Sequence, residues 1–165
     1  MGNEKLNKLL VGFIFLVVCF TLDRFSKIYI LNILNNDGQV DFYVNQYLNI
    51  YLVWNTGIGF GLFSSESKAF YNFFTILVIL INLIILYLAI LETKIKSIFL
   101  MLILGGSLGN LFDRLYYRAV PDFIDINING LHWFIFNVAD IFITIGIICL
   151  IFAEIFIYKS PIKKK

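Results

Sequence analysis

At 165 residues, 60% hydrophobic and only 15% charged, with a mean hydropathy of +0.87, the chain is too apolar for a soluble domain of its size. One polytopic membrane domain over residues 1–165 is the expected class. The formal net charge of +2 conceals an uneven distribution along the chain, and no nucleic-acid partner is expected.

Four segments are long and apolar enough to span a bilayer, each needing about 20 residues. The first runs over 9–30. Lys5 and Lys8 before Leu9–Phe20 resemble the start of a cleavable leader, but no small-x-small site follows. Val17-Val18-Cys19 lacks the small residue a lipoprotein processing site needs, so the segment is expected to be retained. The outer segment 31–68 follows. Within it Tyr47–Trp54 is rich in aromatic and β-branched residues and predicts a strand. Gly57, Gly59 and Gly61 recur at period two, where backbone must bend or be approached closely. Ser64–Ser67 read as the start signal of the second span, 69–91, which carries no charge. The third span covers 97–116. A shorter outer segment, 117–133, holds Pro121 and Gly130. The fourth span covers 134–158.

Lys5 and Lys8, Lys94 and Lys96, and Lys159, Lys163, Lys164 and Lys165 all fall on one side of this arrangement. By the positive-inside rule that side is the cytoplasm, with both termini on it. Counted at 1.5 Å per residue from there, Asp23, Asn110, Asp113, Arg114 and Asp140 lie roughly 20–27 Å up a core of about 30 Å. Ionisable groups are costly in hydrocarbon and mark pathways, relays or reactive centres. A shared layer near the outer surface therefore predicts a site there. Snorkelling to the headgroups is the plainer explanation for Arg24 and Arg118. It suits Asp140 poorly, because that residue stands a turn and a half inside its expected span. Tyr43, Tyr47, Tyr51, Trp54 and Trp133 suit an interfacial belt, and a strand-containing platform on the outer leaflet would satisfy its backbone by pairing.

Few residues are available for other chemistry. Cys19 and Cys149 sit in apolar runs, His132 is the single histidine, and no phosphate-binding or dinucleotide glycine motif is present. Asp23 and Lys27, at i,i+4, share a helix face and can pair, either as glue between helices or as part of a site. Gly105 and Gly109 form GxxxG, which admits a close helix, and lead directly into Asn110, Asp113 and Arg114. Asp122 follows Pro121 and so stands on extended backbone. Asp125 is a nearby alternative, and spacing does not choose between the two. Asn137 and Asp140 are three apart on the fourth span. Two carboxylates brought together share one proton. The ionised one can take a proton from water while the protonated one serves as acid. This chemistry needs no metal, thiol, histidine or cofactor.

In this order the residues resemble the type II signal peptidases, the lipoprotein signal peptidases of bacteria. Asp23-Arg24-Phe25-Ser26-Lys27 resembles the family's DxxxK, and Asn55-Thr56-Gly57-Ile58-Gly59-Phe60-Gly61 its NxGxxFG. Gly105–Asn110 with Asp113-Arg114 resembles GGxxGNxxDR, Val120–Ile124 resembles VxDFI, and Phe136–Asp140 resembles FNxAD. Ile58 and Gly59 stand where alanines are common, and Pro121 where a branched residue is common. The resemblance implies an all-α membrane fold of four transmembrane helices with a small β-containing extracytoplasmic cradle and a short outer helix. It implies catalysis by Asp122 and Asp140, leaves Asp125 a bystander, and gives supporting roles to Asp23, Lys27, Asn55, Gly106, Asn110, Arg114 and Asn137. The implied reaction is cleavage of a prolipoprotein before its diacylglyceryl-modified cysteine, at the outer face of the bacterial inner membrane. Lipid-modified prolipoproteins and membrane lipids are the implied partners, and a monomer is expected. The alternative, a small proton-coupled transporter or channel, would need polar groups near the midplane. A non-catalytic adaptor would use the ions only as helix glue.

Overall fold

The structure, a computed structural model, describes residues 2–57, 68–128 and 131–157. Among the described residues, four long helices carry two β-hairpins at one end. Helix α1 covers Gly2–Asp37, α2 Lys68–Leu91, α3 Lys94–Tyr116 and α4 Val138–Phe152, the last running into a π-helical turn at Ala153–Ile157. Between α1 and α2 come strands β1 (Asp41–Asn45) and β2 (Leu48–Asn55). Between α3 and α4 come β3 (Val120–Ile128) and β4 (Leu131–Phe136). All four helices are long and apolar enough to cross a membrane.

Helix α3 is the centre, packed against α1, α2 and α4. Its glycines make this possible. A Cβ on Gly105 would stand 2.6 Å from the Leu16 carbonyl oxygen, and one on Gly106 2.5 Å from that of Ala139. Neither backbone can move aside, so the bare Cα lets α1 and α4 approach. The outer faces of α1, α2 and α4 display large apolar residues such as Phe13, Leu83 and Ile148, as side chains facing acyl chains should. The α2–α3 turn is tied by the buried Ser97 hydroxyl, which donates to the Ala89 carbonyl at 2.7 Å. Lys8 donates to the carbonyls of Ile90 and Glu92, so Lys5 and Lys8 lie at the same end as Lys94 and Lys96.

Helix α1 is longer than the expected 9–30. Its 36 residues extend about 54 Å. The surplus beyond Ile30 is used, because Ile33 and Leu34 pack on a small core of Ile30, Val40 and Phe123 beneath the sheet. Gly38, at φ +76°, then ends the helix, its N–H returning to the Leu34 carbonyl. The sheet is antiparallel in the order β1-β2-β3-β4, so the β2–β3 pairing joins two hairpins from different interhelical connections. The strand expected at Tyr47–Trp54 is β2. Tyr43, Tyr47, Tyr51 and Trp54 are exposed on β1, the β1–β2 turn and β2.

The start of the fourth span also differs from the sequence reading. The fourth span does not begin at 134. Phe134–Phe136 belongs to β4, paired through Ile124↔Phe136 and Asp125↔Ile135, and α4 starts at Val138. A short apolar run fits a strand and a helix equally well, and here the partner strand decides. Asp140 therefore stands in the first turn of α4, not a turn and a half inside it. Gly59 and Gly61, the Ile58 and Gly59 departures, Ser64–Ser67, the short outer helix, Lys159, Lys163–Lys165 and the Trp133 side chain lie outside what is described.

The glycine seam makes a direct prediction. Gly105→Val is expected to cost about 1–3 kcal/mol, read as a lower thermal midpoint in detergent. Gly12→Ala, at the same α1–α3 contact, meets side-chain atoms of Met101 and Ser97 and no backbone of α3. It should change stability by less than about 1 kcal/mol. Equal effects of the two would refute the seam.

Candidate functional site

Asp122 lies on β3, where Pro121 has kept the backbone extended and the strand pleat turns the carboxyl inward. Asn55, at the end of β2, donates through Nδ2 to its Oδ2 at 2.9 Å, and Asn137 donates through Nδ2 to its Oδ1 at 2.5 Å. Asn137 is also the N-cap of α4. Its Oδ1 accepts from the Asp140 N–H at 3.3 Å, and its own N–H donates to Asp140 Oδ2 at 3.1 Å. Asn110 on α3 completes the arrangement, donating through Nδ2 to Asp140 Oδ1 at 2.9 Å. Each of the four carboxyl oxygens thus receives one N–H, and one residue, Asn137, touches both aspartates.

The two carboxyls line a single cavity of about 200 Å³. Asn55, Asn110, Arg114, Asn137 and Ser107 supply its other polar groups, and Val78, Val120 and Ile143 its apolar wall. Beyond Asp140, between the β3–β4 hairpin and α4, opens an apolar pocket of about 430 Å³ lined by Ile126, Phe136, Ile141 and Ile145. Burial, and then the neighbouring charge of Asp140, pushes the Asp122 carboxyl up to about 6 from the ordinary 3.8, while the Asn137 and Asn55 amides pull the other way.

Under this cavity is a buried ion cluster. Lys27 reaches Asp113 at 2.7 Å and Asp23 at 2.9 Å, and Arg24 reaches the same two at 2.7 and 3.0 Å. Two carboxylates balance two cations, and Asp23, Lys27 and Asp113 are fully enclosed. The third Lys27 donor goes to Asn110 Oδ1 at 2.8 Å. That bond orients the Asn110 amide, leaving its Nδ2 to face Asp140. Asp23 in turn accepts from the Ala139 N–H at 3.0 Å and so holds the start of α4. Arg114 is buried and donates to the Asn110 and Gly57 carbonyls, both at 3.3 Å, anchoring the chain that leaves β2. Gly106 contributes absence of bulk, beside Ala139.

All the residues anticipated from the sequence converge here, with two revisions. Arg24 does not snorkel to the headgroups. It joins the cluster and lies over the Phe112 ring at 4.7 Å, because Asp23 and Asp113 outcompete water for it. Asp113, which the sequence puts in the polar layer but the resemblance does not count among the supporting residues, shares a helix face with Gly106 and Asn110 at i+7 and i+3 and belongs to the cluster. Asp125, the alternative to Asp122, is also buried. Three residues along β3 from Asp122, it points to the other face of the sheet, against Asn49 at 3.3 Å and outside the cavity.

Comparison with known proteins places the whole chain among relatives. The family described as Signal peptidase (SPase) II matches residues 15–156. A lipoprotein signal peptidase of Pelagibacter ubique (strain HTCC1062) is 44% identical over 165 residues, covering 100% of this chain and 99% of its own. One from Anaplasma phagocytophilum (strain HZ) is 40% identical over 154 residues, covering 91% and 95%. A bacterial membrane enzyme structure determined by the in meso method at 2.3 Å superposes with a TM-score of 0.77 at 29% identity, covering 93% of each chain. A second, at 1.9 Å, gives 0.72 at 31% identity, covering 87% and 92%.

Two outcomes follow from the electrostatics. Lys27→Met leaves Asp23 and Asp113 short of a cation and should cost about 3–5 kcal/mol in detergent unfolding. Adding Asp113→Asn should recover part of that loss, and no recovery would mean the charges are not coupled. Because Asp122 holds its proton more tightly folded than unfolded, stability should fall by on the order of 3 kcal/mol as pH rises from about 4 to about 6, then level. Asp122→Asn should flatten that slope in a pH series of melting curves.

Proposed function

The chain belongs to the signal peptidase II family, and from that membership we propose that it is an aspartic endopeptidase removing signal peptides from prolipoproteins, with Asp122 and Asp140 as the catalytic pair. The observation that supports this reading is that the two carboxyls line one cavity with Asn137 hydrogen-bonded to both. Between them they hold one proton. The ionised carboxylate takes a proton from a water as its oxygen attacks the scissile carbonyl, and the protonated partner polarises that carbonyl. When the tetrahedral intermediate collapses, the C–N bond breaks and a proton passes to the leaving amine. The pair returns to its singly protonated state.

The remaining residues act on the pair. Asn55, Asn110 and Asn137 each donate a side-chain N–H to the carboxyls and so fix their orientation in the cavity. Lys27, with Asp23, keeps Asn110 and the start of α4 in place. Arg114 holds Gly57 beside Asn55. The substrate is cut just before its diacylglyceryl-modified cysteine, and the apolar pocket beyond Asp140 receives part of the attached lipid. The enzyme works as a monomer among membrane lipids, with both termini in the cytoplasm and the cavity near the outer face of the inner membrane.

The test uses purified protein in micelles and a synthetic diacylglyceryl-modified prolipoprotein peptide, with signal peptide release followed by mass spectrometry. Asp122→Asn and Asp140→Asn should each reduce the rate by about 10³-fold or more while melting behaviour at neutral pH shows a folded protein. Near-normal cleavage by either folded variant would remove that residue from the catalytic pair.

A further inference from the structure

The end of the bundle away from the aspartates holds a further cavity, of about 560 Å³, lined by Glu4, Lys5, Asn7 and Lys8 of α1 and Lys94 of α3. Three ammonium groups face one carboxylate, a surplus of two positive charges in one concavity. Lys8 cannot swing away, because its Nζ donates to the Ile90 and Glu92 carbonyls at 2.8 and 2.9 Å. Among the described residues neither Lys5 nor Lys94 has an ion-pair partner, whereas Lys96, two residues further along α3, is engaged by Glu92 and Glu154.

The local sequence of α3 makes the surplus more pointed. Its N-cap, Thr93, makes no side-chain capping bond, and its first turn contains no acid but does contain Lys94 and Lys96. Cations at a helix start oppose the helix dipole, so the helix opens with the wrong charge for itself. An anion in the adjoining cavity would answer both the lysines and the helix start. The surroundings say what carries it. Leu6, Leu10, Leu91 and Ile95, flanking these lysines in sequence, are exposed apolar side chains on helices that cross the membrane. A cationic cup with apolar neighbours at a helix end matches a phosphate attached to acyl chains better than a free ion.

We propose that this cavity binds the headgroup of one anionic phospholipid, its phosphate held by Lys5, Lys8 and Lys94, bridging the start of α1 to the α2–α3 turn. Full-length protein in a non-ionic detergent would be supplemented with phosphatidylglycerol, phosphatidylcholine or inorganic phosphate. Native mass spectrometry would count bound lipid and thermal melting would report stabilisation. The expected result is one retained phosphatidylglycerol and a raised midpoint, with little effect of phosphatidylcholine or of inorganic phosphate. Lys5→Ser/Lys94→Ser, which spares the structural bonds of Lys8, should weaken phosphatidylglycerol binding about tenfold or more, and Lys5→Arg/Lys94→Arg should retain it. Equal retention of the two lipids by the unaltered protein would overturn the proposal without recourse to any variant. So would undiminished binding by the serine variant, or equal stabilisation by inorganic phosphate.

Discussion

A single ammonium group, that of Lys27, organises the outer end of the bundle. It has three donors and meets acceptors on Asp23, Asp113 and Asn110, so α1 and α3 are locked at one depth. The effect travels further through groups that are each used twice. Asn110 accepts from Lys27 and donates to Asp140, and Asp23 pairs with Lys27 and accepts from Ala139. The first turn of α4 is thereby fixed by charges that it does not carry. An ammonium in hydrocarbon is tolerable only when all its protons are accepted and its charge is matched, and both conditions hold here.

The same region shows why stability is not what this arrangement maximises. Four ions and two further aspartates are withdrawn from water within a few helical turns. A well-packed apolar cluster of the same volume would be at least as stable. Burial pushes the Asp122 carboxyl up to about 6, so the fold disfavours its ionised form relative to water. The compensation lies in the glycine seam of α3, where three helices approach closely enough to exclude water from the cluster.

The hairpins solve a different problem. A carboxyl on a loop would be mobile, and a bare strand in lipid would leave its backbone polar groups unsatisfied. Pairing β2 with β3 meets both needs. Asn55 and Asp122 arrive from segments 67 residues apart, and the strand register, with Val53 opposite Asp122, sets them side by side. The long α1 supports this sheet from beneath with Ile33 and Leu34, which is why it continues past the length a bilayer requires.

Much of this protein was legible in its sequence. Four apolar stretches, the grouping of Lys5 and Lys8 with Lys94 and Lys96, and the common level of the ions follow from hydropathy and helical rise, which are local and additive along the chain. The pairing of Asp23 with Lys27 is equally local. The ordered motifs supplied the family. Folding in three dimensions decided the rest. It turned Phe134–Phe136 into a strand, drew Arg24 inward and made Asn137 the residue common to both aspartates. It also put Asp122 inside the cavity and Asp125 outside it. Each of these depends on which distant segment lies alongside, and in a strand a shift of one residue reverses every side chain. Spacing along one chain carries no information about that register, whereas the paired β2 and β3 strands determine it.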